Sequence, residues 1–321
     1  MSLSVDVVIT AYGRYDLTTS CLRHLAQQTL PHRVILVDNG SLDETRDAVA
    51  RDFPAVTIVP FDANQAFAVA TNRGVAEGDG DVIVLLNNDV DCRPDFLAKL
   101  IAPIAADEQV GSVASVLLRP GEHFIDSVGL AADVTLAPFP RLQGHPARDS
   151  SAPAPVLMGP AGAAAAFRRS AWREIDGLDE VMFAYMEDFD LVVRLRAAGW
   201  HAAVATDAIA VHLGSATHGH RSPRTRSNGG FGRGYLLRRY GIFSPGVRVG
   251  LRTLVTEAIV VLGDLVISRD LLALRGRLDG WRAGAGRQRL GQPPVEAIDQ
   301  SIGFRQSLDL RRGVYDQGIS A

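Results

Sequence analysis

The first 110 residues contain four short apolar segments. Each segment is followed by a stretch with helical spacing or by a polar turn. The apolar segments cover residues 5–10, 34–38, 56–60 and 81–89. The helical stretches cover residues 16–29, 43–52 and 66–77. Apolar residues that follow one another without alternation are typical of strands buried on both faces, as in a parallel sheet between two helical layers. The pattern therefore predicts an α/β fold with a Rossmann-like nucleotide-binding layer.

Polar residues gather where these strands end. They are Thr10 to Arg14, Asp38 to Ser41, Asn64, and Asn87 to Asp91. Ligands of open parallel sheets bind at the carboxyl ends of the strands, so we expect a binding site at this edge. Asp38 suits a hydrogen bond to a base or a ribose, and Asp89 suits a divalent cation that also binds substrate phosphates. An Asx turn that merely ends a strand is the alternative at both positions.

The second half of the chain contributes an acidic cluster and a histidine. Glu187, Asp188 and Asp190 open an amphipathic helix over 187–198 that Gly199 ends. Acids at that place can interact with the helix dipole, or one of them can deprotonate a sugar hydroxyl. His212 ends a strand or strand pair over 201–212 and is either structural or a ligand to Mn²⁺ or Mg²⁺.

Composition narrows the function classes. A net charge of −3 over 321 residues gives no argument for nucleic-acid binding. The sequence has two cysteines, and it shows neither a targeting segment nor an apolar run long enough to span a bilayer. These features predict a cytoplasmic protein that is at most peripheral at the inner face of the membrane.

The C-terminal region is rich in arginine. Eight arginines and no acid lie between Asp207 and Glu257. This basic stretch indicates either a solvated surface or attraction to anionic lipid headgroups or a lipid-linked diphosphate. The amphipathic segment 247–267 is expected to contact a membrane surface, form a homodimer interface or act as a lid.

The order of these motifs resembles the family-2 glycosyltransferases of the GT-A fold, in particular their rhamnosyltransferase-like subgroup. The resemblance covers about residues 5–215. The motifs that carry it are VVITAYGRYD (7–16), ILVDNGSLDET (35–45), NQAFAVATNRG (64–74), LLNNDVD (85–91) and GLDEVMFAYMEDFDLVVRLRAAGW (177–200).

The resemblance implies a role for each matching residue. The donor-binding residues would be Thr10, Ala11, Tyr12, Arg14, Asp38, Asn64, Arg73 and Asn88. The metal ligands would be Asp89 and His212, with Asp91 as a further candidate. Asp188 would be the catalytic base, with Glu187, Tyr185 and Trp200 on the acceptor side. Two departures from the family pattern are Asn87, which replaces the first acid of the Asp-x-Asp motif, and Gln65-Ala66, where glycine usually precedes the phenylalanine.

The implied activity is inverting, Mn²⁺- or Mg²⁺-dependent transfer of rhamnose or a similar hexose from a dTDP or UDP donor. The acceptor would be a hydroxyl of a lipid-linked, polysaccharide or small-molecule glycan. We expect the nucleotide-sugar-binding half at 1–110, the acceptor-binding and catalytic half at 111–215, and a basic helical region at 216–321. A sugar-nucleotide pyrophosphorylase, a glycoside hydrolase and a non-catalytic nucleotide-sugar-binding protein are the alternatives.

Overall fold

A computed structural model describes residues 3–214 and 222–316, with side chains as far as residue 311. Within these residues one large sheet has the strand order β3-β2-β1-β4-β10-β6-β11-β5, and β7 pairs with β6. Its strands are β1 (Val5–Ala11), β2 (Arg33–Asp38), β3 (Thr57–Pro60), β4 (Val82–Asn87), β5 (Val90–Cys92), β6 (Val110–Leu118), β7 (Ile125–Ser127), β10 (Ala164–Arg168) and β11 (His201–His212). Strands β8 (Leu130–Ala132) and β9 (Pro138–Pro140) form a separate antiparallel pair.

Ten α-helices lie in the described parts of the chain. They are α1 (Tyr15–Ala26), α2 (Thr45–Asp52), α3 (Phe67–Ala76), α4 (Phe96–Ala106), α5 (Arg169–Glu174), α6 (Glu187–Ala197), α7 (Pro223–Tyr240), α8 (Val247–Ser268), α9 (Leu272–Ala283) and α10 (Phe304–Asp316). The four predicted strands and the three helices α1 to α3 are all present, and β1 to β4 run parallel. None of these helices is both long and apolar enough to cross a bilayer.

Helices cover both faces of the sheet, as the continuous apolar strands predict. One core packs α1 and α4 against one face through Leu22, Leu25 and Phe96. The other core packs α3, α5 and α6 against the opposite face and includes Trp172 and Leu191. Each central strand therefore has a helical layer on either side, which leaves the strand ends as the open edge of the sheet.

The second half of the chain adds strands to the same sheet. All nine residues of β6 are buried, although no strand was predicted there. Strand β10 runs antiparallel to both β4 and β6, and its first three residues are alanines. Residues 144–155, predicted to be a loop, contain one short turn of 3-10 helix at Ala147–Asp149.

The C-terminal helices pack through glycine. A Cβ atom on Gly230 or Gly234 of α7 would collide with the backbone of α9, and one on Gly276 or Gly280 of α9 would collide with α7. Reciprocal small residues at i and i+4 let two helix backbones approach closely. In its described residues the predicted helical region 216–321 thus contains α7, α8, α9 and α10.

Four of the eight arginines in the basic stretch form ion pairs with acidic residues of the fold. Arg233 is buried and pairs with Glu257 of α8, which also pairs with Arg277 and Arg311. Arg226, Arg239 and Arg252 pair with acids elsewhere in the fold. Arg221 lies outside the described residues. The sequence reading of one solvated or lipid-facing basic stretch is therefore too simple, because these four arginines hold the fold together.

Candidate active site

The ends of β1, β2 and β4 lie side by side. Thr10 pairs with Asn87 across β1 and β4, and Ala11 pairs with Asp38 across β1 and β2. The backbone N–H of Asn39 donates to the Ala11 carbonyl, and the Ser41 hydroxyl accepts from the N–H of Gly13. Parallel pairing thus brings the polar strand ends together at one edge, where the sequence predicts a binding site.

The predicted base-pocket residues are only partly open to solvent. Ala11 and Asp38 are buried, whereas Thr10 and Tyr12 are half-buried. The Asp38 carboxylate accepts from Arg46 Nε at 2.6 Å and from the N–H of Ser41 at 3.1 Å. Asp38 therefore organises the turn that follows β2 and has little surface of its own to offer a ligand.

The other predicted donor-binding residues differ in their surroundings. Asn64 is half-buried and its Oδ1 accepts from Asn39 at 3.5 Å, while Asn88 Nδ2 donates to Thr18 at 3.0 Å. Arg14 begins α1 in a left-handed conformation and hydrogen-bonds Asp16. Arg73 is exposed on α3 and pairs with Glu77 one turn later. These donor roles stay predictions.

Asp89, His212 and Asp126 form a continuous chain of side chains beside the strand ends. His212 Nε2 lies 3.5 Å from Asp89 Oδ1, and His212 Nδ1 lies 2.7 Å from Asp126 Oδ2. The pairing of β11 with β5 aligns His212 with Val90, and the N–H of Leu213 donates to the Asp89 carbonyl. The strands therefore fix the distance between the predicted metal ligands.

This chain of side chains fits a divalent cation. Asp89 Oδ1 is buried and has no hydrogen-bond partner, so it is an unsatisfied acceptor that faces an imidazole nitrogen. The contact to Asp126 leaves Nε2 as the ligand atom of His212, as in carboxylate–histidine–metal arrangements. No group of three or more His, Cys, Asp or Glu side chains converges on one metal position among the described residues, so phosphate oxygens would complete the coordination.

The same carboxylates favour a proton on His212 when no cation is bound. Burial lowers the pKa of His212, but the hydrogen bond to Asp126 and the neighbouring Asp89 outweigh it and raise that pKa to about 9. A cation would have to displace this proton, because only the neutral imidazole is a ligand. The third predicted ligand, Asp91, faces α1 instead, where it accepts from Ser20 at 2.9 Å and lies 3.2 Å from His24.

Glu187 and Asp188 form a second acidic group at the start of α6. Asp188 Oδ2 accepts from the N–H of Gly162 at 3.0 Å, whereas Glu187 Oε2 is buried without a hydrogen-bond partner. Burial and the charge of Asp188 raise the pKa of Glu187 to about 8, and burial also raises the pKa of Asp188. Asp190 points elsewhere, into a buried contact with Arg194 and Tyr240.

Strand β10 connects the two acidic groups. The N–H of Asn87, two residues before Asp89, donates to the carbonyl of Ala163 at 2.8 Å. The adjacent Gly162 donates to Asp188. The segment that contains Asp89 and the carboxylate of Asp188 therefore both contact residues 162–163, directly before β10.

The turn before α6 is strained and is held by α7. Tyr185 and Met186 both have left-handed backbone angles, with φ of 72° and 74°, which non-glycine residues rarely adopt. The Tyr185 hydroxyl lies 3.1 Å from that of Thr225, and Gly232 leaves room for Met186. Tyr185 thus directs its hydroxyl to α7, and its acceptor-side role stays a prediction.

The structure does not bring Trp200 to this site. Helix α6 ends at Ala197, about 14 Å along the helix axis from Asp188 at 1.5 Å per residue, and Trp200 follows this far end. Its indole donates to Glu174 and its side chain packs over Gly111. An acceptor contact by Trp200 would need a ligand that extends to the opposite end of the helix.

Asp126 is the functional candidate that sequence reasoning missed. It lies on β7, a strand of three residues whose neighbours Ile125 and Ser127 are buried. The only sequence signal is one acid between two core positions in FIDSV, which also fits an ordinary edge strand. Its contact with His212 arises because β7 and β11 both pair with β6 at Leu117 and Leu118.

Comparison with known proteins matches this chain to two family models. The model described as glycosyl transferase family 2 matches residues 6–176, which is more than half of the chain. A second model, glycosyl transferase family group 2, matches residues 145–259. The first match includes the strand ends and Asp89, and the second includes Asp188 and His212.

Two curated relatives are similar over much of the chain. An N-acetylglucosaminyl-diphospho-decaprenol L-rhamnosyltransferase of Mycobacterium tuberculosis is 30% identical over 209 residues, which are 57% of this chain and 66% of that protein. The O-antigen biosynthesis protein RfbC of Myxococcus xanthus is 25% identical over 229 residues, which are 66% of this chain and 17% of that protein. The chain thus spans slightly less than two thirds of the first relative.

Solved structures share the fold. A mannosyltransferase from Pyrobaculum calidifontis in complex with GDP-Man and Mn²⁺ superimposes with a TM-score of 0.56 at 21% identity, covering 90% of this chain and 77% of that one. A structure of GalNAc-T7 with UDP, GalNAc and Mn²⁺ gives a TM-score of 0.58 at 14% identity, covering 80% and 50%. These similarities confirm the predicted GT-A fold.

Proposed function

Because the chain belongs to glycosyl transferase family 2, as its sequence motifs predict, we propose that it transfers a hexose from a nucleotide-diphosphate donor to an acceptor hydroxyl with inversion. The relative from Mycobacterium tuberculosis supports the rhamnosyltransferase-like assignment, and we infer rhamnose or a similar hexose on dTDP or UDP as the donor. The observation that carries the proposal is the Asp89–His212–Asp126 chain beside the Glu187–Asp188 pair.

In this proposal Asp89 and His212 would hold Mn²⁺ or Mg²⁺. The cation would neutralise negative charge on the leaving diphosphate. Asp126 keeps a proton on Nδ1 of His212, so that Nε2 faces Asp89 as a ligand atom. Both structural neighbours were solved with Mn²⁺, which supports the choice of a divalent cation.

Asp188 acts as the base. Burial raises its pKa and so strengthens it as a proton acceptor, and the N–H of Gly162 fixes one carboxylate oxygen. Glu187 retains its proton at neutral pH, because burial and Asp188 raise its pKa to about 8. As the acceptor oxygen bonds to the anomeric carbon, its proton passes to Asp188 and the diphosphate leaves with the bonding electron pair.

The polar strand ends bind the nucleotide. Thr10, Tyr12 and Asn88 offer the half-buried polar surface next to Asp89. Asp38 acts through the turn that it holds with Ser41 and Arg46. We propose that Asn64, Arg14 and Arg73 bind the donor as the family resemblance implies.

We infer an acceptor glycan that is carried on a lipid diphosphate. The supporting observation is the name of the mycobacterial relative, whose acceptor is N-acetylglucosaminyl-diphospho-decaprenol. A lipid-linked acceptor would bring the enzyme into peripheral contact with the inner face of a membrane. A soluble glycan or natural-product acceptor would not require this contact.

A thermal-shift panel of sugar nucleotides with and without Mn²⁺ tests the donor and metal assignments. At about 100 times its Kd, a ligand stabilises the folded state by about 2.7 kcal/mol, or roughly 5 °C in a chain of this size. We expect this shift for a dTDP- or UDP-hexose only when Mn²⁺ is present. Equal shifts without the metal would overturn the cation proposal, and sugar release in the absence of nucleotide would indicate a hydrolase.

Matched variants separate the roles of the carboxylates. Asp89→Ala should abolish the Mn²⁺-dependent part of the shift, whereas Asp91→Ala should keep it, since Asp91 contacts Ser20 and His24. Asp188→Asn should bind the donor normally and lose about 10²- to 10⁴-fold in kcat. Normal turnover by Asp188→Asn would rule out Asp188 as the base.

A further inference from the structure

A wide apolar strip of α8 is exposed to solvent. We define the α8 face by its exposed residues Val247, Leu251, Leu254, Val255, Ile259, Leu262, Leu265 and Val266. At 100° per residue these side chains fall within an arc of about 140°, and they extend about 29 Å along the helix. Contiguous apolar surface of this kind marks an interaction site, whereas single exposed apolar residues are ordinary.

The opposite side of α8 is anchored in the protein. Thr253, Thr256 and Glu257 are buried, and Glu257 pairs with three arginines of α7, α9 and α10. Asp264, the other acid of α8, lies 3.7 Å from Arg226 with little exposure. Both acidic side chains of this fully described helix therefore face inward, and neither lies on the α8 face.

Basic residues border the α8 face at both ends. Arg248 lies in its first turn and Arg269 directly follows its last turn, and both are exposed. At 100° per residue Arg248 also falls within the apolar arc. Phe243, 52% exposed, and Leu271, 41% exposed, are further exposed apolar residues in the segments before and after the helix.

We propose that the α8 face lies on an anionic membrane surface. A helix that binds in the plane of the interface buries its apolar side below the headgroups while its basic residues contact anionic lipids. Each arginine near such a surface adds electrostatic attraction, and an acid on the same side would oppose it. Leu262 and Val266, 60% and 75% exposed, would enter the apolar region of the bilayer.

Charge argues against a second copy of the chain as the occupant. Antiparallel two-fold pairing of α8 helices would place Arg248 of one copy opposite Arg269 of the other, and parallel pairing would place like residues together. Since neither acid of α8 lies on this face, the helix itself would leave these arginines without a partner. Such like-charge contacts oppose association, whereas anionic headgroups neutralise both arginines.

This inference deepens the proposed function, because it names the surface by which the enzyme would reach a lipid-linked acceptor. It is tested without donor or acceptor, so its failure leaves the transferase proposal intact. Conversely, an enzyme that proves to use a soluble acceptor can still bind the membrane in this assay.

The experiment is co-sedimentation of the full chain with phosphatidylcholine vesicles that contain either no phosphatidylglycerol or about 30 mol% of it. The test variant is Leu262→Asp with Val266→Asp. The control is Val295→Asp, which introduces one of the two negative charges at a residue that is 67% exposed outside α8. Circular-dichroism melting checks that each variant folds, and sedimentation equilibrium gives the oligomeric state.

We expect wild type to bind the anionic vesicles about tenfold more strongly than the neutral ones. The double variant should bind the anionic vesicles about tenfold more weakly than wild type, whereas Val295→Asp should bind them as wild type does. Arg248→Gln with Arg269→Gln should weaken binding without changing the fold. Absence of wild-type binding, or equal binding by the double variant, would overturn the proposal. So would a wild-type dimer that the double variant converts into a monomer.

Discussion

Removal of the Asp126 carboxylate should weaken Mn²⁺ binding although Asp126 is not itself a ligand in our proposal. Asp126 Oδ2 lies 2.7 Å from Nδ1 of His212, whose side chain is 16% exposed. A hydrogen bond that involves a charged group contributes about 1.5–3 kcal/mol, and loss of a carboxylate behind a metal-binding histidine lowers affinity about 10- to 100-fold. Since a quarter of the Asp126 side chain is exposed, we expect Asp126→Ala to lower the affinity for Mn²⁺ by about tenfold to thirtyfold.

The assay is electron paramagnetic resonance of free Mn²⁺ during titration of the protein. Asp126→Asn should show a smaller loss, because the amide keeps an acceptor oxygen but carries no charge. Asp149→Ala is the control, since the Asp149 side chain is 38% exposed and lies 3.8 Å from its neighbour Arg148. Affinity of Asp126→Ala within twofold of wild type, or an equal loss in Asp149→Ala, would refute the reasoning.

Stability of the metal-free protein gives a second measure of the same contact. Asp126 and Asp89 raise the pKa of His212 from 6.5 to about 9, so the protonated imidazole stabilises the folded state. This contribution is complete below pH 6.5 and is lost as the pH rises through 9. The stability difference between wild type and Asp126→Ala should therefore shrink over that range, as measured by urea unfolding.

Two further predictions concern the acidic pair and the C-terminal helices. Glu187 has a folded pKa of about 8 against 4.5 unfolded, so wild type should lose up to about 1.4 kcal/mol per pH unit between these values. Glu187→Gln should lack this loss. If the free energies of unfolding of wild type and variant, measured with urea, change in parallel from pH 5 to 9, the assignment is wrong. Gly234→Ala should cost about 2–3 kcal/mol, because its Cβ would collide with the carbonyl of Arg277. Gly229→Ala on the same helix meets no atom and should instead stabilise by about 0.5–1 kcal/mol, as thermal melting would show.

Local sequence patterns predicted the nucleotide-binding layer well. Strands β1 to β4 and helices α1 to α3 are all present, since each has its own periodicity and turn residues. His212 is the last residue of β11, and Asp89 directly precedes β5. These two strands pair with each other, which brings His212 and Asp89 together. The position of these two residues therefore follows from motif order once the sheet topology is given.

Contacts between distant segments could not be predicted in the same way. Asp126 reaches His212 only through the pairing of the short strand β7 with β6, which leaves no periodic signal. Asp91 carries the same charge as Asp89, but Ser20 and His24 of α1 hold it. Trp200 matches the motif that contains Asp188, yet the length of α6 separates the two residues.

The glycines of α7 and α9 illustrate a second reason why some contacts could not be predicted from the sequence. Glycine usually weakens a helix interior, so the four glycines of α7 argue against a helix although the segment lies in the predicted helical region 216–321. The close approach of the two helices gives Gly230 and Gly276 their role, because each accommodates the backbone of the other helix. Such a role becomes visible only when both helices are placed.

A crystal grown with Mn²⁺ and UDP, or with dTDP if the thermal-shift panel favours it, tests the central claim most directly through its anomalous difference density. The account predicts one manganese peak bonded to the Asp89 carboxylate, Nε2 of His212 and the diphosphate, with Asp126 and Asp188 outside the coordination. A bound nucleotide with no manganese at Asp89, or with manganese at Asp91 instead, would contradict it.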